Sequence, residues 1–363
     1  MYTTDQFRVF SAQPMDRLLS RPRRLLQEGR VAEAETGYRS LLVSHPDIKQ
    51  VWVEFFELLR HTDRFDEALA LSGRAAAQFG EDALPAALRG AALVELGRYR
   101  EGLEALDAAA RLDPDLGLVW HEAGYAAFRI GELSRALMAL DRAFALEPHG
   151  GTLHLRGQVL RQAGRYLAAE VAFEGAAEAA EFPAQRLAAE RELRRTRRYA
   201  AFPGFRPDTL PPARRWFAET GGVPLSCSTG VTVPDSDLLG AIAELATDLG
   251  WSFTSLVSLD DWESWEGLAA RLEVPLAHEM PSAQDAVPLV AARAPSGVEA
   301  WARIVDEPMR TGRGLSFALE LPHTDPPADV VGRLTGQAGA IDPSLALEAA
   351  QHPEGRLYNR ILR

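Results

Sequence analysis

The first half of the sequence repeats itself every 34 residues, and that period limits the fold more than any other feature. In GLVWHEAGYAAFRIGELSRALMALDRAFALEPHG (117–150), Gly124, Gly131, Ala136, Ala143 and Pro148 are spaced as a unit. The preceding stretch, 83–116, places Gly90, Gly97, Gly102, Ala109 and Pro114 each 34 positions earlier. One unit further back, Trp52, Ala68 and Ala75 fall in the same register. A first unit supplies Gly29, Ala34, Tyr38 and Pro46, with Pro22 expected to shorten or bend its first helix. A fifth supplies Gly157, Gly164, Ala169, Phe173 and Ala176 with one residue deleted. A short unit repeated this often cannot bury its apolar face alone, so neighbours must stack.

Each unit reads as two helices and a turn. Small residues such as Gly124 and Ala136 let the two helices approach closely. Gly131 suits the tight turn between them, and Pro114 or Pro148 stops the second helix. Trp120, Leu137 and Leu140 recur at helical spacing and are expected in the core. With these markers, residues 15–183 resemble the tetratricopeptide repeat family. The resemblance implies a helical solenoid of about five helix-turn-helix repeats whose first helices line a concave groove.

Projecting the inward positions of those first helices gives Glu57, Arg60 and His61 in unit two, and Ala91 and Glu95 in unit three. Unit four gives His121, Tyr125 and Arg129, and unit five His154, Gln158, Arg161 and Gln162. Arginine and histidine beside tyrosine suit an acidic peptide or protein surface, because charged donors pair with carboxylates. Family members that grip a C-terminal carboxylate use lysine and asparagine where His121/Tyr125 and His154/Gln158 stand here, so that mode is not expected. The same polar residues also suit a merely solvated inner surface.

Past the repeats the pattern changes. Residues 184–200 read as a basic helix capping the solenoid, or as a basic arm for an anionic partner. Residues 201–224 form a Pro-rich linker, and 225–363 alternate strand and helix patterns, implying a small α/β domain. Residues 1–14 are an N-terminal segment. Strands are expected in VPLSCSTGVTVP, WSFTSLVSL, AVPLVAARA and GLSFALELP. Helices are expected in DSDLLGAIAELATDLG, DDWESWEGLAARLEV, SGVEAWARIVDEPM, PPADVVGRLTG and DPSLALEAAQ. Asp235 or Ser236 is the expected cap of the first of these, and Asp260 or Asp261 of the second, with Trp262 and Trp265 on one face. The acidic, Trp-bearing 260–266 also suits docking into a basic groove, in the same molecule or in a second copy.

Charge and cysteine content narrow the function classes. The net charge is -12, and residues 225–363 hold 20 acidic against 9 basic side chains. That balance argues against nucleic acid as a partner. Lys49 is the sole lysine, and arginine in its place everywhere else points to a GC-rich bacterial genome. A single cysteine, Cys227, excludes an intrachain disulfide and fits a reducing, cytoplasmic setting. No apolar run approaches the roughly 20 residues that span a bilayer. Cys227 with His278 or His323 lacks any catalytic motif, SCSTGV lacks the lysine and glycines of a phosphate loop, and the histidines show no metal-ligand spacing. Neither a cofactor nor a metal is expected.

The reading is therefore an interaction scaffold that is not itself a catalyst. The alternative is an enzyme or small-ligand sensor whose site lies beyond the strand ends of the C-terminal domain, near Ser258, Asp260, Asp261 and Arg293, with the repeats as a targeting arm.

Overall fold

The computed structural model describes residues 13–227, 233–282, 285–295, 301, 314–322, 327–335, 345, 348–349 and 351–357. The chain divides into two compact units, the first running through Ala163 and including Val171–Arg186, the second comprising Gly164–Glu170 and Leu187–Arg363.

The first unit is a stack of helical hairpins, of whose last helix Tyr166–Glu170 fall in the second unit. The hairpins are α1 (Gln13–Gln27) with α2 (Val31–Ser44), α3 (Lys49–His61) with α4 (Phe65–Phe79), α5 (Ala83–Glu95) with α6 (Tyr99–Leu112), α7 (Gly117–Arg129) with α8 (Leu133–Leu146), and α9 (Gly150–Gln162) with α10 (Tyr166–Glu178). Consecutive helices from α1 to α9 pack on one another, and α3, α5, α7 and α9 also touch in series, forming the inner wall. Pro22 lies inside α1, which continues past it rather than stopping there.

The 34-residue period has a backbone cause. Gly29, Gly97 and Gly131 turn between paired helices at φ of 73, 73 and 84°, and Asp63 holds the same place in the second hairpin at φ 56°. Aspartate is among the few side chains that tolerate this left-handed region. The period also reflects close helix approach. A Cβ on Gly124 would lie 2.7 Å from Leu140 Cγ, and one on Gly90 2.5 Å from Leu106 Cγ. Both leucines are buried and cannot swing away. Gly124→Ala is therefore expected to destabilise the stack by ~1–3 kcal/mol through overpacking, measurable by urea unfolding. The tryptophans have a polar task besides packing: Trp52 Nε1 donates to Pro46 O at 2.9 Å and Trp120 Nε1 to Pro114 O at 2.8 Å, tying each first helix to the loop before it.

The second unit holds α11 (Pro183–Ala200) from Leu187 onward, so it begins well before residue 225. Of the arginines of α11 in this unit, Arg198 is buried and Arg195 and Arg197 are half-buried, while Arg191 and Arg194 are exposed. Arg198 donates to the carbonyls of Ala218, Glu219 and Glu354 at 2.9–3.0 Å, while Arg197 reaches Glu170 and Glu354. Part of the basic run is thus used within the fold. Within 201–224 the structure adds α12 (Pro212–Thr220), begun by Pro212 where a missing N–H does no harm and closed by Gly221 at φ 77°.

Six strands form one parallel sheet: β1 (Val223–Cys227), β2 (Ser255–Ser258), β3 (Leu276–Ala277), β4 (Pro288–Ala292), β5 (Leu315–Pro322) and β6 (Val330–Thr335), in the order β1-β6-β5-β4-β2-β3. Helices α13 (Asp235–Asp248) and α14 (Ser264–Arg271) pack on it. Ile242, Leu256, Trp265, Leu289, Phe317 and Val330 meet in its core.

Three sequence expectations change here. PPADVVGRLTG contains β6, not a helix: Val330 and Val331 are β-branched and buried between β1 and β5, and Gly332 leaves room for Leu319 O, which a Cβ would approach to 2.6 Å. Pro234, rather than Asp235 or Ser236, is the N-cap of α13. Glu263 is the N-cap of α14, because the Asp260 carboxylate instead accepts from Trp265 Nε1 and Arg293 N, both at 2.6 Å. The helix expected over 296–309 lies outside the described residues except for Trp301, and 342–351 is described only in part.

Candidate functional site

The inner wall encloses a cavity of about 680 Å³, a size typical of ligand and peptide pockets. It is crossed by the length of α3, the first half of α5 and the first turns of α7, and closed from behind by the ends of α6 and α8. Its floor is apolar: Val53, Phe56, Leu88 and Val119 are almost wholly buried, and Leu112, 52% exposed, stands at its edge. Phe56 occupies the place that Gly90 and Gly124 take in the next two units, so this break in the repeat puts a ring into the cavity wall.

One cation organises the polar side. Arg60, whose side chain is 13% exposed, donates to Glu95 Oε1 at 2.6 and 3.0 Å, to Glu57 Oε1 at 3.2 Å and to Glu122 Oε1 at 3.3 Å. Burial works against its charge, but the three carboxylates outweigh that and raise its pKa. Burial pushes the Glu122 carboxyl up to about 7, opposed by Arg60 and reinforced by Glu95 and Glu57. The cavity thus holds a carboxyl group that titrates near neutrality.

The other predicted groove residues form separate groups. His61 Nδ1 lies 2.7 Å from the backbone carbonyl of Glu57, on its own helix. His121 is buried and shares a 3.0 Å hydrogen bond with Thr152 between α7 and α9. Burial, with His149 and Arg60 nearby, lowers its pKa to about 4, so it is a neutral bridge and not a charged recognition group. Arg129 donates to Tyr125 Oη at 2.6 Å and lies over the Tyr99 ring, 4.5 Å from its centroid. His154 contacts Phe173 edge to face at 5.4 Å and shares a 3.3 Å contact with Gln158, while Arg161 lies over the same phenyl ring. Gln162 is half-buried at the end of α9.

Of the predicted set only Glu57, Arg60 and Ala91 line the cavity, with Glu95 joined through Arg60. Taking His121, Tyr125 and Arg129 as the inner face of α7 leaves Glu122 on the neighbouring stripe, outside the expected set. The cavity meets α3 along its length but α7 only near its start. A charged residue on the face next to the apolar stripe was the available signal.

In the second unit the carboxyl ends of β2 and β4 lie side by side where the strand order reverses. There Ser258 bonds the Asp260 carbonyl, Asp260 anchors the Arg293 backbone, and the Arg293 guanidinium lies 5.4 Å from the centre of a Trp262 ring. Trp262 and Trp265 meet edge to face at 4.9 Å. Asp261 is exposed beside them. Cys227 ends β1 with its side chain outside the described residues, as is all of His323. No described helix is long and apolar enough to cross a membrane.

No protein-family model matches this chain, and no curated protein matches it. Among solved structures it is similar to a thermophilic TPR protein of Thermus thermophilus (19% identity, 49% of this chain and 98% of that one, TM-score 0.44). It is also similar to PilW, a widely conserved type IV pilus biogenesis factor (18% identity, 53% and 89%, TM-score 0.45), and to PilF of Pseudomonas aeruginosa (19% identity, 51% and 86%, TM-score 0.42). At such scores nothing of those proteins' roles passes to this one. Its own 34-residue period, the left-handed turns at Gly29, Asp63, Gly97 and Gly131, and the close approach at Gly90 and Gly124 give the helical part of this chain the fold of a tetratricopeptide array.

Proposed function

We propose that the protein is an interaction scaffold that holds a protein partner in the concave cavity of its helical array. The observation that carries this reading is the cavity itself: about 680 Å³ with an apolar floor and Leu112 half-exposed at its edge, on a fold made of stacked repeats. Tyr125, Arg129, His154 and Arg161 stay in the proposal as outlying contacts, since their rings and guanidinium groups present planar surface. A photocrosslinking residue at Leu112 is expected to trap a discrete partner in cells of the source organism, whereas the same residue at Met138, 69% exposed on α8, is not. Adducts from Met138 but not from Leu112 would move the binding face elsewhere.

A second reading rests on the sheet. In open parallel sheets ligands sit beyond the carboxyl ends of the strands at the point where the order reverses. In this chain Asp260, Trp262 and Arg293 meet there, so a small-ligand site with the array as targeting arm is the alternative.

A further inference from the structure

The charge of the cavity says more about its occupant than its shape does. Seven acidic side chains line it, among them Glu57, Asp82 and Glu122, against two cations, so that even with the Glu122 carboxyl protonated an excess of four negative charges remains. Both cations are already engaged: Lys49 with Asp82, and Arg60 with its three glutamates. An acidic peptide entering here would bring like charge into a partly desolvated space, which disfavours binding and selects against such partners. The expectation of an acidic partner therefore does not suit this cavity.

We propose that the cavity receives a segment of a protein partner that carries arginine or lysine beside a large apolar side chain. The apolar residue seats on Phe56, Leu88 and Val119, and the cation meets the carboxylates around them. The inference rests on the scaffold reading above and adds the chemistry of the partner. Floor and rim fit the two halves of such a segment, since apolar contact supplies affinity while complementary charge sets specificity and encounter rate.

The test pans a library of random 12-residue peptides over the immobilised full chain, then measures the affinity of a labelled selected peptide. Selected sequences are expected to pair arginine or lysine with leucine, phenylalanine or a similar residue, and to weaken as salt rises. Two variants report on the site. Glu81→Arg with Glu147→Arg reverses exposed charges on the rim without disturbing the core, and Leu112→Arg places a charge on the apolar edge. Each is expected to lower the affinity at least tenfold. Selected peptides that are acidic or uncharged, yet still displaced by Leu112→Arg, would overturn the cationic partner and leave the scaffold reading standing. Peptides indifferent to every variant, or no enrichment at all, would overturn both.

Discussion

Arg60→Met is expected to destabilise the helical array by ~3–5 kcal/mol, with its thermal transition falling by roughly 10 °C. Methionine keeps most of the buried stem, so the loss comes from charge. Among the described residues Arg60 is the one cation bonded to Glu57, Glu95 and Glu122, of which Glu57 and Glu122 are buried. Removing it leaves carboxylates facing one another with little water to screen them. Two further results distinguish this account from lost packing. The deficit is expected to shrink at pH 5, where Glu122, whose carboxyl burial raises, carries a proton and no longer repels its neighbours. Adding Glu57→Gln and Glu122→Gln to the Arg60→Met chain is expected to restore much of the stability at pH 7. A deficit constant with pH, and not restored by the double change, would place the effect in packing.

How much of this was visible beforehand differs between the two units. The array was legible because close helix approach needs glycine at Gly90, Gly124 and Gly157, and those positions mark the period in the sequence. Asp63 and Phe56 were not legible as departures from it, since one tolerates a left-handed turn and the other fills a gap, and both are matters of local geometry. In the second unit β4 and β5 read correctly because strands buried on both faces are continuous apolar runs. The strand β6 did not: with Gly332 and Arg333 inside it, VVGRLT lacks a clean period of two, and only its place between β1 and β5 makes it a strand. Strand β3, two residues long, carries no pattern to read.

The site was half legible for a related reason. Glu57, Arg60 and Glu95 follow from a helical projection, because neighbouring helices at similar depth bring equivalent faces together. Glu122 enters from the start of α7, and its importance depends on burial that no spacing rule reports. His121, its neighbour in sequence, faces Thr152 and leaves the cavity lining without a histidine among the described residues.

Glu122→Gln is expected to abolish a fall in stability that the wild type undergoes as pH rises from 4.5 to about 7. The folded carboxyl is raised to about 7 from an ordinary value of 4.5. Below pH 4.5 both folded and unfolded chains carry the proton, and the group contributes no pH dependence. Between 4.5 and 7 the unfolded chain releases its proton while the folded chain retains it, so stability falls as pH rises, and above 7 the loss is complete. A shift of this size corresponds to ~3 kcal/mol. The groups that face Glu122 are Arg60 and Glu57 on α3 and Glu95 on α5, so the glutamine variant retains one cation against two carboxylates. Carboxyls held low elsewhere, such as Glu35 beside Arg64, give the opposite slope, which makes the difference between wild type and variant the quantity to measure. In urea unfolding from pH 5 to 8 the variant is expected to gain steadily on the wild type and to be the more stable by pH 8. Parallel profiles would mean that Glu122 loses its proton as an ordinary glutamate does, with Arg60 outweighing the burial of its carboxyl.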